Sequence, residues 1–200
     1  MNARRAAHKL APMTQPLRAP ISLFDYLDFD TASSLRHEYL GGYVYAMTGG
    51  SMRHNRIALN IASALMGPLH GSRCQVFIND MKLHVQAADS VYYPDVLVHC
   101  GTAIAGDAKV VTSAALIVEV LSESTAETDR REKRAAYQRL PGLRAYWIVS
   151  QDEQRVEVHE RDATGTWGAR VCGAGDELHT AGLTPQALTL TALYAGTDVA

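Results

Sequence analysis

Two short apolar runs, Val91 to Val98 and Ala115 to Leu121, each carry a single acid: Asp95 in the first and Glu119 in the second. Short runs rich in valine, isoleucine and leucine are the pattern of strands covered on both faces. A chain holding two of them must build a sheet with a substantial interior. It must also compensate each carboxylate, because burying an isolated charge costs several kcal/mol or more. Two such acids on neighbouring strands repel each other, and a shared divalent cation is the simplest remedy.

Strand geometry sharpens this. Residues i and i+2 face the same way, so Glu119 shares a face with Ile117 and Leu121, and Asp95 with Tyr93 and Leu97. In register on adjacent strands, the two carboxylates come within reach of one hard cation such as Mg²⁺, which is satisfied by one or two carboxylates, a carbonyl and several waters. The alternative is that each acid sits at a strand end, solvated or paired with an arginine.

Composition restricts the setting. A chain of 200 residues that is 47% hydrophobic fits one globular domain with a real core, expected here over residues 21–200. The net charge of -2 and sequence pI near 6.4 argue against a general coat for nucleic acid, so any such contact needs a local patch. Cys74, Cys100 and Cys172 are far apart, odd in number and lack a C-x-x-C pairing, and read as reduced thiols of a cytoplasmic protein. No apolar run approaches the roughly 20 residues of a membrane span. Residues 1–20, rich in Arg, Ala and Pro without an apolar signal core, read as a disordered tail.

Ser22 is placed to cap a short helix through Leu27, and Gly41-Gly42 to turn a hairpin between Leu35–Leu40 and Tyr43–Met47. Ser51 opens a helix to about Leu69, with Ile57, Ala58, Ile61 and Leu65 as its core stripe. Strands are expected over Arg73–Asn79, Met81–Gln86, Leu143–Ser150, Arg155–Arg161 and Trp167–Cys172, and a second long helix over Thr125–Leu140. Ser122, Ser124 and Thr125 read as caps of that helix. The class is mixed α/β, a central sheet flanked by helices.

Lys133 lies on the apolar stripe of the second helix with Asp129, Ala136, Tyr137 and Leu140. Such a lysine either snorkels to solvent or meets an acid, and its helix begins just after the Glu119 strand, within reach of the site. His54 lies on the stripe of the first long helix, a core histidine or a substrate-binding one. Arg53 and Arg56 beside it are candidate phosphate contacts. Asp80, Lys82 and His84 alternate with apolar residues as one polar face, read as solvent-exposed or as lying along a substrate groove. Glu38, on the hairpin, matters only if the fold brings it to the pair.

Taken in order, His37-Glu38-Tyr39-Leu40-Gly41-Gly42, His54, Tyr93-Pro94-Asp95-Val96 and Ile117-Val118-Glu119-Val120-Leu121-Ser122 form a pattern. So do the later Thr125, Asp129, Lys133, Tyr137, Gly142 and Ala145-Tyr146-Trp147-Ile148-Val149. The chain from about Ile21 to Tyr194 resembles the Uma-type restriction-endonuclease family of the PD-(D/E)XK nuclease superfamily. The resemblance implies a restriction-endonuclease-like core, with Asp95, Glu119 and the Val120 carbonyl as ligands of Mg²⁺ (or Mn²⁺). It also implies Glu38 as a supporting acid and DNA as the substrate. The superfamily places a lysine two residues after the second acid, where this chain has Leu121, and Lys133 is the replacement that fits, with Lys82 a weaker one. Three functions follow for comparison: a metal-dependent endonuclease, a nucleic-acid-binding or assembly protein that kept the fold without turnover, and a metal-binding structural protein. A homodimer is compatible with cutting both strands of a duplex.

Overall fold

The computed structural model of the protein describes residues 19–122 and 125–199. The tail expected over residues 1–20 thus falls almost wholly outside the described residues, as does the capping role of Ser124.

α1 (Leu23–Ala32) begins where the Ser22 hydroxyl accepts the Asp25 N–H, and runs beyond the expected Leu27. β1 (His37–Leu40) and β2 (Tyr43–Ala46) form the expected hairpin, its turn made by Gly41 and Gly42 at φ of 52° and 97°. α2 (Met52–Leu69) is capped by the Ser51 hydroxyl, which accepts the His54 N–H at 3.0 Å. Its buried stripe contains all four residues predicted for it.

The remaining strands are β3 (Cys74–Ile78), β4 (Lys82–Val85), β5 (Ser90–Tyr92), β6 (Val96–Cys100), β7 (Val110–Val111), β8 (Leu116–Val120), β9 (Ala145–Val149), β10 (Arg155–Arg161), β11 (Trp167–Gly173), β12 (Glu177–Leu178) and β13 (Leu188–Thr189). Two main sheets result, β11-β10-β9-β8-β6-β3 and β2-β1-β5-β4-β7, with β12 and β13 as a separate pair. The class is mixed α/β in both senses, since β8–β9 and β4–β7 pair in parallel and their neighbours antiparallel. On one face of the larger sheet Val96, Val118, Val120 and Trp147 pack on the α2 stripe. On the other, Leu97, Ile117, Leu121 and Tyr146 pack on Tyr137 and on Leu83 and Tyr92 of the smaller sheet.

The run from Val91 to Val98 is divided between the two sheets: β5 ends at Tyr92 and β6 begins at Val96. Pro94 has no N–H to give a ladder, and the chain crosses between sheets there. Asp95 therefore sits at a joint, one residue before β6. Beyond the last ladder pair, Val96 with Val118, Asp95 takes the place of a backbone partner. Its Oδ2 accepts the Val120 N–H at 2.8 Å, satisfying a buried donor the sheet has left behind.

The second helix is interrupted. α3 (Ala126–Thr128) passes into a π-helical turn (Asp129–Lys133) and then α4 (Arg134–Tyr137). Thr125 at its start makes no side-chain cap; it meets Ser122 instead, the two hydroxyls 3.0 Å apart. The expectation of three reduced thiols is corrected: Cys74 and Cys100, directly opposed across β3 and β6, form a disulfide, and Cys172 alone is free and buried. Distance along the sequence concealed a pair that antiparallel register brings together. No helix among the described residues is long and apolar enough to cross a membrane.

Candidate active site

Glu119 enters the interior on the face it shares with Ile117 and Leu121, directed at the second helix. Its Oε1 accepts a hydrogen bond from the Tyr137 hydroxyl at 2.7 Å and one from Lys133 Nζ at 3.2 Å. The same ammonium lies 2.9 Å from Glu38 Oε1 on β1 and 3.4 Å from Asp129 Oδ1 one turn earlier. The π-helical turn carries both Asp129 and Lys133, only 1% and 4% exposed. Such turns occur frequently at functional sites.

One lysine thus faces three carboxylates, an arrangement with excess negative charge when all are ionised. Burial pushes the Glu119 carboxyl well above the usual carboxylate range; Lys133 opposes this, while Asp129, Asp95 and Glu38 add to it. For Lys133 burial works against the charged form, but Glu119, Glu38 and Asp129 outweigh it and hold the ammonium well above the usual lysine range. Burial and then Glu119 raise the Tyr137 phenol too, so both groups remain proton donors to Glu119 at neutral pH.

Asp95 is fixed from the other side. Besides the Val120 N–H, its Oδ2 meets His54 Nε2 at 3.2 Å, from the first turn of α2. Burial disfavours imidazolium at His54, but Asp95 and then the Val120 carbonyl outweigh it and raise the pKa. Gly50 backs the ring: a Cβ there would stand 2.8 Å from His54 Nδ1.

Glu38, His54, Asp95, Glu119, Val120 and Lys133 all line one cleft of about 330 Å³, with Asp129 and Arg36 among its other walls. The other predicted contacts are elsewhere. Arg53 is bidentate to Asp198, its Nε and Nη2 each 2.8 Å from a carboxylate oxygen, and also meets Asp152 at 2.9 Å. Arg56 lies beside Gly196 and does not line the cleft. Lys82 is not on a solvent-exposed face: it is buried, 3.0 Å from Asp30 Oδ2, on a carboxylate that Tyr93 and the His37 N–H also engage. Its alternation with Met81 and Leu83 was read correctly as a strand, but the smaller sheet is covered on its Lys82 side as well.

Asp129, Tyr137 and Gly50 had no assigned role in the sequence. The signal for the first two was their spacing of four from Lys133, which aligns all three on one helix face. Gly50 had no signal short of the fold. Among the described residues no three His, Cys, Asp or Glu side chains converge tightly enough to hold a metal unaided. Two carboxylates and the Val120 carbonyl, each carboxylate fixed through one oxygen, are nonetheless a hard-oxygen donor set of the kind Mg²⁺ accepts with water completing the shell.

Residues 23–192 match the model of the Uma2 family, described as "Putative restriction endonuclease". The chain belongs to the Uma2 family. Two uncharacterized proteins of Synechocystis sp. are similar in sequence: slr1290, 31% identical over 143 residues (72% of this chain, 75% of that one), and sll1609, 30% identical over 150 residues (72% and 82%). The Uma2 fold recurs in the crystal structure of a protein from Anabaena variabilis titled a putative nuclease belonging to DUF820. The TM-score is 0.72 at 18% identity, with 88% of this chain and 98% of that one covered.

Proposed function

We propose that this Uma2 protein is a divalent-cation-dependent endonuclease that hydrolyses phosphodiester bonds in DNA. The observation that carries the reading is the gathering of Glu38, Asp95, Glu119 and Lys133 on one cleft, three acids and a buried lysine brought from four separate elements. Asp95, Glu119 and the Val120 carbonyl would hold Mg²⁺ (or Mn²⁺). When bound, the cation acidifies a water and offsets charge on the phosphate.

The chain's own groups do the rest. Tyr137 and Lys133 orient Glu119, and the Val120 N–H orients Asp95, so neither carboxylate has to be ordered when the site fills. Lys133 takes the place of the strand lysine that Leu121 cannot supply. Its charge, held by its acidic neighbours, is available to the negative charge that develops on phosphorus-bound oxygen. Glu38 keeps that ammonium in position from β1. Two copies acting together would serve both strands of a duplex.

The test uses supercoiled and single-stranded DNA with Mg²⁺ or Mn²⁺, comparing the parent with Asp95→Ala, Glu119→Ala and Lys133→Ala. The parent is expected to nick or linearise the DNA, and each variant to lose at least about a hundredfold in rate. Cleavage that survives all three substitutions sinks the assignment. A second reading, a DNA-binding protein without turnover, is favoured by one observation: Lys133 is already engaged by three carboxylates. Salt-sensitive binding with no cleavage would decide for it.

A further inference from the structure

We infer that Asp30 is a positioning residue of the cleft: its carboxylate, paired with Lys82, ties the start of the strand that carries Glu38 to the joint that carries Asp95. The inference rests on the reading of Glu38 and Asp95 as acids of one site, and adds what sets the distance between them.

Connectivity is the first ground. Asp30 lies in the last turn of α1, and its Oδ1 accepts the His37 N–H at 2.9 Å. Tyr26, one turn earlier, donates its hydroxyl to the His37 carbonyl at 2.6 Å. α1 thus grips the residue before Glu38 at both ends, and the carbonyl belongs to the peptide that continues into Glu38. The other oxygen of Asp30, Oδ2, accepts the Tyr93 hydroxyl and lies 3.0 Å from Lys82 Nζ on β4. Only Pro94 separates Tyr93 from Asp95. The proline ring fixes its own φ and restricts the residue before it. A shift of Tyr93 is therefore carried on to Asp95 and to its bond with the Val120 N–H.

Energetics is the second ground. Asp30, Lys82 and Tyr93 are all buried, and Lys82 does not line the cleft. Burial opposes ionisation of Asp30, but Tyr93, Lys82 and the His37 N–H outweigh it and hold the carboxyl below its usual range. A buried ion pair is a poor device for stability alone, since apolar side chains of similar volume often do as well or better. What apolar packing lacks is direction. Hydrogen bonds from two elements to one carboxylate fix the separation of those elements, and a reacting site tolerates only about 0.5 Å of error.

The experiment follows native-state amide exchange by NMR on the full chain without cation, alongside DNA binding and DNA cleavage with Mg²⁺ or Mn²⁺. Tyr93→Phe cuts the tie to the joint and keeps the ring. It is expected to speed exchange of the Val120 N–H at least about tenfold, while the other amides of β8 keep their rates. Its cleavage rate should fall at least about tenfold at unchanged DNA affinity. Asp30→Leu combined with Lys82→Met removes the ion pair as a unit. That protein should keep the parent's urea midpoint and show the same selective loss of protection at Val120. Should the double variant not fold, Tyr93→Phe alone decides. Exchange at Val120 that rises no more than in the rest of β8 overturns the inference, as does undiminished cleavage by Tyr93→Phe. The nuclease reading is judged separately: selective exchange in a protein that never cuts DNA keeps Asp30 as the brace and rejects the nuclease, and cleavage without it does the reverse.

Discussion

Glu119 is where stability and the proposed cation site pull apart. Its carboxylate is buried beside Asp129 and Glu38 with one lysine among them, and its pKa is raised well above the ordinary range, chiefly by burial. A carboxyl raised in the folded state contributes fully below its unfolded pKa, about 4.3, and that contribution is lost as pH climbs through the folded value. Glu119→Gln cannot ionise but keeps an oxygen for the Tyr137 hydroxyl and Lys133. In cation-free urea denaturation the two proteins should match near about pH 4, with the variant increasingly the more stable toward neutrality. Saturating Mn²⁺ should stabilise the parent and leave the variant unchanged. A stability gap independent of pH would show that the carboxylate is not strained by burial. Much of this residue's setting was legible beforehand: strand alternation put Glu119 on the face of Ile117 and Leu121, and helical periodicity put Lys133 on the apolar stripe of the second helix. The His54–Asp95 contact was not, because it needs α2 to cross the end of β6, and no local pattern encodes that crossing.

Among the elements, those with a strong local signal were readable and those defined by long-range pairing were not. Ser22, Ser51 and Gly41-Gly42 announce their caps and turn through backbone chemistry within a few residues. The run through Pro94 looked like one strand because every residue around it is apolar, yet the missing N–H lets the chain change sheets there. The π-helical turn was invisible for a similar reason: Lys133 on it meets Glu38 and Glu119, which come from other elements. The Cys74–Cys100 bond is the plainest case, since it depends on β3 pairing with β6. It ties the edge strand β3 to β6, which begins one residue after Asp95. Closing a loop of 26 residues is worth about 3–4 kcal/mol in the chain-entropy account. Cys74→Ser should lose up to about that much stability in urea denaturation, and a reductant should lower the parent to the same level without affecting the variant. A parent indifferent to reductant would mean the two thiols are not joined in solution.

At the scale of the whole molecule, the cleft is a property of two sheets meeting. Glu38 belongs to the smaller one, Glu119 to the larger, and Asp95 to the joint between them, so none of the three elements holds a site alone. This arrangement also limits how the protein can hold a polyanion. The chain carries a net charge of -2, and the lysine and arginine side chains lining the cleft are Lys133 and Arg36. Lys133 is buried among acids, while Arg36 is half-exposed and only loosely paired, its Nε 3.4 Å from the exposed Asp80. Each phosphate neutralised by a cationic side chain adds about -0.9 to the slope of log K against log salt for duplex DNA. With so few cations at the cleft, that slope should be shallow, about -1 to -3, where a general DNA-coating protein would reach several times more. Arg36→Ala should flatten it by about 0.9 while weakening binding to all sequences alike. Asp80→Asn, which removes the ion pair but leaves the Arg36 hydrogen bond to the Asn79 carbonyl, should strengthen binding at low salt. A steep slope that Arg36→Ala leaves unchanged would move the phosphate contacts to another face, and the cleft would then need a different account of how DNA reaches it.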